Sequence, residues 1–407
     1  MGVQVFLVAG FLASAGVPLY IHLPRFAADL GMGLGAIGGM LAVLRLVDFV
    51  QDPVLGWAAD RFPRARRAMA AAGFAGMGLG YALVFAGQPG PWGLALGLVL
   101  IFTAFSLGTI LFYGQGVALV GDAGAGAHYR LGGLREAGAL TGIVLAALSP
   151  SLLALWIGTL PGYAAYGLGL AGLALAVWML SRPLWSLPPP PPEPRPSLRP
   201  LMRAGGGYLL LIALLNAVPV AITSTLFLFF VEDRLQLPGL AGLYLVAFFA
   251  AAGLAAPVWS RLAARFGARR VLLPAMGLAV VCFIWAALLP AGAGWQFALI
   301  CLGSGLALGA DMAILPALFA ATLARAGLPT GLAFGAWSFA GKASLAIAAA
   351  VALPLLERAG YDPGGANDAQ ALAALNMAYA LLPCALKLPA MLLVARLKDT
   401  KIGEADV

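Results

Sequence analysis

The chain has 407 residues, of which 62% are hydrophobic and only 10% are charged, and its mean hydropathy is +0.96. Soluble domains carry about 25% charged residues, so this composition excludes a soluble globular protein and predicts a polytopic membrane protein. The net charge of +8 does not indicate nucleic-acid binding, because the basic residues collect in short segments between apolar runs, where they set membrane topology.

Twelve apolar runs are long enough to cross a bilayer, which takes about 20 residues each. They cover residues 3–24, 33–58, 68–88, 92–120, 133–156, 159–181, 205–231, 239–262, 270–290, 295–323, 329–356 and 370–395. We therefore predict an all-α polytopic membrane protein with twelve transmembrane helices.

A proline-rich stretch divides the twelve runs into two sets of six. It contains five consecutive prolines at 188–192, which favour a stiff and extended spacer. We predict an N-terminal six-helix bundle at 1–181, a linker at 182–204, a C-terminal six-helix bundle at 205–395 and a tail at 396–407.

The distribution of lysine and arginine predicts the orientation of the chain. If both termini lie on one side, the loops and tail on that side carry eighteen of these residues: Arg61, Arg64, Arg66, Arg67, Arg130, Arg135, Arg182, Arg195, Arg199, Arg203, Arg261, Arg265, Arg269, Arg270, Arg325, Arg396, Lys398 and Lys401. The opposite side carries three, and three more lie within the spans: Arg25, Arg234 and Arg358, then Arg45, Lys342 and Lys387. The positive-inside rule then places both termini and the linker in the cytoplasm. We expect a multi-pass protein of a bacterial inner membrane.

The two halves resemble each other where the second and eighth spans end. The segment PVLGWAADRF at 53–62 aligns with PVWSRLAARF at 257–266 at a constant offset of 204 residues, and five of the ten positions are identical. Two similar six-helix halves joined by a linker are the plan of a transporter that alternates access to a site near the middle of the membrane.

The second span carries three ionisable side chains on one helix face. Arg45, Asp48 and Asp52 fall within an arc of about 60°. Each charge costs a few kcal/mol inside a bilayer, so this face must point into protein or water, and it is a functional-site hypothesis by default.

At the repeat offset, the corresponding residues of the eighth span are apolar. They are Phe249, Ala252 and Ala256. The helix therefore does not need the charges in order to fold, which favours a functional role for them over a structural one.

Asp48 and Asp52 are one helical turn apart, and two carboxylates that close need a counter-charge or a shared proton. Arg45 and Lys342, the lone cation of the eleventh span, are available, and the four formal charges sum to zero. A cation, either Na⁺ or H⁺, that competes with Lys342 for the carboxylates would couple ion binding to conformation. The alternative is a static ion-pair clamp, which is disfavoured because buried pairs add little stability over apolar packing.

Other polar groups within the spans are candidates for a substrate cavity, although hydrogen bonding between helices also explains each of them. With Arg45 they are Tyr20, Tyr113, Gln115, Asn216, Thr223, Asp311 and Trp337. Tyr20 and Trp337 have rings that can stack on a sugar. Asp311 belongs either to the cavity or to a helix end, and His22 is interpreted as an interfacial residue.

The segment GWAADRFPRARR at 56–67 joins the second and third spans. Asp60 lies there among arginines, which predicts a charge clamp that holds a cytoplasmic gate closed, unless the loop only fixes topology. The gate candidates are Gly56, Asp60, Arg61, Arg64, Arg66 and Arg67, together with Arg130, Arg135 and Glu136 before the fifth span.

The motifs of enzymes are missing from the sequence. It contains no phosphate-binding P-loop, no zinc-ligand spacing and no Ser/His/Asp arrangement. We expect no cofactor other than the coupling ion and no nucleic-acid partner. We expect a monomer that is surrounded by membrane lipid and binds a small-molecule substrate.

Two motifs resemble those of a known superfamily. GWAADRFPRARR looks like the loop between the second and third spans of the major facilitator superfamily. RLVDFVQDP resembles the second-helix signature of its glycoside–pentoside–hexuronide:cation symporters, the melibiose permease group, with the frame complete as Arg45, Asp48, Asp52 and Pro53. RLGGLRE before the fifth span and Lys342 in the eleventh also match that group.

The resemblance implies the major facilitator fold and symport of a sugar-like solute with Na⁺ or H⁺. It also implies that Asp48 and Asp52 bind the coupling cation, as ligands if that cation is Na⁺, and that Lys342 is their positive partner. Arg45 would line the cavity, and Asp60 would belong to the cytoplasmic gate.

The chain departs from that group in its first and fourth helices. Galactoside-binding members carry an acid in each, whereas here the first span has none and the fourth has none before Asp122. The substrate is then a different sugar-like solute, or an amphipathic molecule such as a lysolipid or drug. A further alternative, a membrane assembly factor that transports nothing, is disfavoured by the intact acidic pair.

Overall fold

The computed structural model describes residues 1–15, 22–23, 26–27, 30–32, 34–87, 90–121, 123–187, 198–362, 365 and 367–397. Within these ranges the chain is almost entirely helical and has no β-strand. The prediction of an all-α protein is therefore correct for the residues described.

Twelve principal helices follow one another in these ranges. The first six are α1 (Gly2–Ala13), α2 (Leu34–Arg61), α3 (Arg66–Tyr81, extended by a π-helical segment Ala82–Ala86), α4 (Pro91–Val120), α5 (Ala125–Ile157) and α6 (Thr159–Ser181). The last six are α7 (Gly206–Phe229, extended by a π-helical segment Phe230–Arg234), α8 (Ala241–Phe266), α9 (Ala268–Ala287), α10 (Gly294–Arg325), α11 (Gly331–Arg358) and α12 (Ala369–Asn376, Met377–Leu381 and Leu382–Ala395, the middle part π-helical). Short helical segments Pro63–Ala65, Arg182–Ser186 and Arg199–Arg203 lie between them.

Ten helices in the described part of the chain, α3 to α12, are long and apolar enough to cross a membrane. The described part of α1 is apolar but has only 12 residues. At 1.5 Å per residue, the 28 residues of α2 exceed the ~30 Å hydrocarbon thickness of a bilayer. Glycines in the left-handed region follow α4 and α8, at Gly121 (φ 52°) and Gly267 (φ 91°), where a side chain would be strained.

The chain divides into two compact units that do not follow the predicted boundaries at every point. One unit comprises Met1–Ala123, Leu134–Ala204 and Ala320–Phe339, and the other comprises Gly124–Gly133, Gly205–Phe319 and Ala340–Val407. The start of α5 thus belongs with helices of the C-terminal half, and the start of α11 with helices of the N-terminal half. We refer to them below as the N-terminal unit and the C-terminal unit. The linker residues 188–197 lie outside the described residues.

The N-terminal unit has an aromatic core between α3 and α6. The rings of Phe85 and Tyr163 stack with centroids 5.8 Å apart, and Phe26 packs against both. His22 belongs to this core rather than to an interface, since it is buried, its Nε2 lies 2.7 Å from the carbonyl oxygen of Ala147 and its ring meets Tyr163 edge-on. Packing of this kind holds helices together where lipid removes the hydrophobic driving force.

The C-terminal unit has a corresponding core between α7, α10 and α12. The rings of Phe230 and Tyr379 stack with centroids 3.9 Å apart, and Phe297 packs against both. Aromatic pairs contribute about 0.5–1.5 kcal/mol beyond the area they bury. The two π-helical segments that carry Phe230 and Tyr379 therefore meet at a well-packed point.

Candidate functional site

Within the N-terminal unit, α2 and the start of α11 pack backbone to backbone. A Cβ atom added at Gly335 would lie 2.7 Å from the carbonyl oxygen of Asp52, and one added at Gly331 would lie 2.9 Å from Cβ of Ala59. Gly56 faces the same stretch, since a Cβ atom there would lie 3.0 Å from Cα of Leu332. Small residues permit this close approach of two membrane helices, so the contact depends on glycine at these three positions.

Asp60 joins the end of α2 to the first turn of α11. Its Oδ1 accepts a hydrogen bond from the backbone N–H of Gly331 and its Oδ2 accepts one from that of Leu332, both at 2.7 Å. The first N–H groups of a helix have no partner within the helix, and a carboxylate there also interacts favourably with the helix dipole. Asp60 is 5% exposed, so these bonds are shielded from water. We call this pair of hydrogen bonds, which joins Asp60 to main-chain groups some 270 residues further along the chain, the Asp60 clamp. Its role in a cytoplasmic gate stays a prediction.

Asp52 lies two turns before Asp60 on the same face of α2. It is completely buried, and its Oδ2 accepts a hydrogen bond of 2.6 Å from the hydroxyl group of Ser338 on α11. On α2, Gly56 lies between Asp52 and Asp60, and on α11, Gly335 lies between Leu332 and Ser338. Hydrogen bonds of the two acids therefore alternate with close backbone contacts along this pair of helices. Ser338 could not be identified from the sequence, because a serine in an apolar helix has no pattern that indicates its partner.

The internal repeat shows which feature of α2 is additional to the fold. Ala256 corresponds to Asp52 at the repeat offset, and both residues are completely buried. Ala264 corresponds to Asp60 and is half-buried. One scaffold position is therefore filled by a methyl group in α8 and by a carboxylate in α2.

The other predicted members of the cation site are described only in part. Lys342 follows Ser338 by one turn on α11 and is half-buried. Asp48 precedes Asp52 by one turn on α2, but its side chain and that of Arg45 are outside the described part, and so is all of Tyr20. Among the residues described, no group of three or more His, Cys, Asp and Glu side chains is placed to hold a metal ion.

Tyr113 was predicted to line the substrate cavity and Arg135 and Glu136 to form the gate, but the three make one cluster. The Tyr113 hydroxyl group donates to Oε1 of Glu136 at 3.1 Å, and Nε of Arg135 donates to the same oxygen at 3.0 Å. The Arg135 guanidinium carbon lies 3.7 Å from the centre of the Tyr113 ring, which is a cation–π contact. Phe334 of α11 also packs against that ring, with the two centroids 5.2 Å apart.

Gln115 and Arg66, also predicted for the cavity and the gate, fasten the segment after α6. Nη1 of Arg66 donates to the side-chain carbonyl of Gln115 at 3.3 Å, and the Gln115 amide donates to the carbonyl oxygen of Leu184 at 2.7 Å. Leu184 and Trp185 are buried there. The Gln115 side chain is therefore engaged in structure at the end of the N-terminal unit.

The remaining basic gate candidates face outward. Four of them are exposed: Arg61, Arg64, Arg67 and Arg130. The Arg61 guanidinium lies over the ring of its neighbour Phe62, and Nε of Arg130 donates to the carbonyl oxygen of Gly126 in its own helix. Their placement suits a role in topology.

In the C-terminal unit, Asp311 is ion-paired. Nζ of Lys387 on α12 lies 2.6 Å from its Oδ2, and both side chains are buried.

Thr223 is buried and donates to the carbonyl oxygen of Val220, whereas Oδ1 of buried Asn216 has no hydrogen-bond partner in the described part. Trp337, on the α11 segment of the N-terminal unit, is half-buried. Lys387 was recognised only as a charge within a span, because its sequence context does not indicate a partner.

The buried carboxylates on apolar helices and the two repeated halves are those of a membrane transporter of the major facilitator superfamily. The chain matches the family described as MFS/sugar transport protein over residues 7–401, and it belongs to that family. This match confirms the resemblance and the fold class inferred from the sequence. No curated protein sequence matches the chain significantly.

Solved structures of three transporters show the same fold. The Escherichia coli fucose:proton symporter FucP aligns with a TM-score of 0.68 at 15% identity, over 97% of this chain and 98% of that one. A bacterial homologue of the iron transporter ferroportin in an outward-facing state gives 0.65 at 16%, over 96% and 98%. The human organic anion transporter TETRAN gives 0.62 at 15%, over 97% and 98%. Similarity at this level of identity concerns the fold alone.

Proposed function

We propose that this transporter is a secondary active symporter that couples a cation, Na⁺ or H⁺, to the uptake of a small polar, sugar-like solute. The coupling site consists of Asp48 and Asp52 on α2, with Lys342 as their positive partner. The protein acts as a monomer in a bacterial inner membrane with both termini in the cytoplasm, and it needs no cofactor besides the coupling ion.

The observation that carries this proposal is the burial of Asp52. A fully buried carboxylate in a membrane-spanning helix is costly and marks ion or proton pathways. The methyl group of Ala256 fills the corresponding place in α8, so neither folding nor packing requires an acid there. Coupling of ion binding to conformation supplies a reason for the acid.

The chemistry at Asp52 suits either ion. Ser338 donates a hydrogen bond to the carboxylate, and its oxygen can turn its lone pairs to a bound Na⁺ instead. Carboxylate and hydroxyl oxygens are the hard ligands that such cations prefer. A proton would bind to the carboxylate directly. In either case the bound ion would compete with Lys342 for Asp52.

The clamp at Asp60 supports alternating access. Two charge-assisted hydrogen bonds tie α2 to the start of α11, and the surrounding glycines make the contact close. These bonds are broken and remade as a unit, which gives the gate two discrete arrangements rather than a continuum.

A second candidate function, transport of an amphipathic substrate, is favoured by one cavity. It lies between α1, α5 and α6 of the N-terminal unit, has a volume of about 580 Å³ and is lined mainly by apolar side chains. The hydroxyl group of Tyr166 is buried at this cavity without a hydrogen-bond partner in the described part. Ligand cavities of about 300–1,000 Å³ with few polar groups accept molecules of lipid or drug size.

The test is Na⁺ binding to the purified protein by calorimetry from pH 5 to 8, with Asp52→Asn as the comparison and Ser344→Ala as the control. Ser344 lies on α11 as well, and its hydroxyl group donates to the carbonyl oxygen of Gly341 in the same helix. Saturable Na⁺ binding that weakens at low pH and is lost in Asp52→Asn supports Na⁺ coupling. Proton uptake that requires Asp52, without Na⁺ binding, supports proton coupling.

Substrate uptake into vesicles separates the two substrate classes. Accumulation of sugars that depends on the ion gradient supports the first proposal. Accumulation of a lysolipid that Tyr166→Phe reduces supports the second. If ion gradients drive no accumulation of either class, and Asp52→Asn changes no ion binding, the symport proposal is wrong.

A further inference from the structure

The ion pair of Asp311 and Lys387 joins α10 to α12 inside the C-terminal unit. Their charged atoms are 2.6 Å apart, and their side chains are 6% and 5% exposed. Replacing such a buried pair by apolar residues is often neutral or stabilising, so stability alone gives little reason for its presence. Ionisable residues within membrane helices are functional candidates by default.

The Asp311 carboxylate is satisfied on one side only. Its Oδ2 accepts the bond from Lys387, whereas Oδ1 is buried and has no hydrogen-bond partner in the described part. A buried carboxylate oxygen without a donor is unfavourable by several kcal/mol in apolar surroundings. Protonation of the carboxyl group would remove this unfavourable term but would leave the Lys387 ammonium group without its counter-charge, so it requires water beside that group.

A cavity of about 40 Å³ adjoins the pair, with side chains from α7 to α10 and from α12 around it. It has room for roughly two or three water molecules. Besides the pair, its polar lining side chains are Thr223, Ser304 and Cys384. Because Asp311 lines this cavity, water inside it would lie beside the carboxyl group and could deliver a proton.

The part of α12 beside the cavity belongs to the α-helical stretch Leu382–Ala395, which directly follows an irregular segment. A π-helical segment, Met377–Leu381, precedes Pro383 and Cys384, which both line the cavity. Segments of this kind often mark functional sites, and a proline removes one helix hydrogen bond. Lys387 therefore lies within two turns of an irregular point in α12.

We propose that Asp311 is a proton-binding site of the C-terminal unit, distinct from the carboxylates of α2. A hydronium ion gives its proton to the Asp311 carboxylate, so one O–H bond breaks in the donor and one forms at the carboxyl group, and the ion pair becomes a neutral acid beside a hydrated Lys387 ammonium group. The charge of the pair rises from zero to +1, and the contact between α10 and α12 loosens. Proton binding is thereby linked to packing inside this unit, whether or not the α2 carboxylates bind the coupling cation.

Few other groups compete for this proton. Among the lining residues, α8 and α9 contribute only apolar side chains, and α7 contributes Thr223 as its polar group. Cys384 on α12 is titratable, but its thiol is engaged with the carbonyl oxygens of Ala380 and Val280. Asp311 is therefore the acid that faces the cavity, with Lys387 as its one charged neighbour among the lining residues.

Infrared difference spectroscopy of the whole protein between pH 5 and 8 tests the proposal. A carboxylic-acid carbonyl band that appears on acidification, is lost in Asp311→Asn and persists in Asp52→Asn is expected. In Lys387→Met, where the counter-charge is removed, the same band should appear at higher pH. A pair that is purely structural gives no band that depends on Asp311 in this range, and that result would overturn the proposal.

Labelling of Cys384 provides a second readout if either variant folds poorly. In a background with Cys282→Ala and Cys301→Ala, the ratio of labelling rates between Asp311→Asn and the parent should be severalfold at pH 8 and approach one at pH 5. Asp52→Asn, which removes an acid outside this cavity, is the control and should give a ratio near one at both pH values. A ratio that stays constant across this range contradicts a proton-driven opening at Asp311.

Discussion

The hydroxyl group of Ser338 donates a hydrogen bond to the buried carboxylate of Asp52. In the proposed site this group would affect the binding of a proton and of Na⁺ in opposite directions. Towards a proton it stabilises the charged form of Asp52 and so opposes binding. Towards Na⁺ it adds a ligand and so favours binding. If Asp52 binds the coupling ion as proposed, this one small side chain would favour Na⁺ over a proton.

Ser338→Ala should lower the affinity for Na⁺ and raise the affinity for a proton. A hydrogen bond to a charged group contributes about 1.5–3 kcal/mol, which corresponds to about tenfold or more in affinity. Calorimetry and proton-uptake titration measure the two effects, with Ser344→Ala as the matched control. If both affinities are unchanged, Ser338 takes no part in the cation site.

Asp60→Asn should loosen the start of α11 without unfolding the protein. The asparagine retains one acceptor oxygen and loses the charge, so one of two charge-assisted bonds is lost and the other is weakened. Hydrogen exchange of the peptide that begins α11 should accelerate about tenfold or more, as expected from a loss of 1.5 kcal/mol or above.

The exposed acid Asp362 supplies the control for that experiment. Asp362→Asn should leave exchange at the start of α11 unchanged, because this residue lies in the segment after α11. Equal exchange rates in Asp60→Asn and the parent would show that the Asp60 clamp does not limit opening of this helix end.

At the scale of elements, the start of α11 packs closely against another helix, whereas a later part of α11 does not. Its first two turns approach α2 through Gly331 and Gly335, whereas Gly341 has open space around it. Glycine is therefore needed for close packing at 331 and 335, whereas at 341 there is room for a side chain.

Gly335→Ala should destabilise the protein and Gly341→Ala should not. The new methyl group at 335 would lie 2.7 Å from the carbonyl oxygen of Asp52, and overpacking of this kind destabilises by about 1–3 kcal/mol. At 341 the added methyl meets nothing, and alanine favours a helix over glycine by about 0.5–1 kcal/mol. Thermal unfolding in detergent measures both, and a loss of equal size at both positions would contradict the close packing.

How far the site was predictable differs from residue to residue. Asp52 stood out because a charge in an apolar run is costly wherever it lies, and the repeat showed that the fold does not need it. Ser338, Gly331 and Gly335 did not stand out, because their importance depends on a partner about 280 residues away. Tyr113 and Gln115 were polar groups in a span and looked available, yet hydrogen bonds within the N-terminal unit engage both.

At the scale of the whole molecule, hydropathy was sufficient for the number and order of the helices, because the bilayer imposes their length. The unit boundaries were not predictable in the same way. The starts of α5 and α11 change units because glycines let them approach helices that are distant in sequence, as Gly132 does at the Ala313 carbonyl oxygen.

The orientation of the whole chain remains a prediction that labelling can test. In a background without the native cysteines, Ser186→Cys should react with a membrane-impermeant thiol reagent only from the cytoplasmic side, and Gly365→Cys only from the outside. Both positions are in short connecting segments, and Ser186 is exposed. Reaction of both from one side would contradict the orientation derived from the basic residues.

The clamp at Asp60 also has a genetic consequence. Its donors are main-chain N–H groups, which every residue type except proline supplies. No charge reversal at 331 or 332 can therefore compensate for loss of the acid, as it could in a bridge between two side chains. A search for second-site revertants of Asp60→Asn should return substitutions that favour the closed arrangement from elsewhere in the chain, and none that rebuild the original pair.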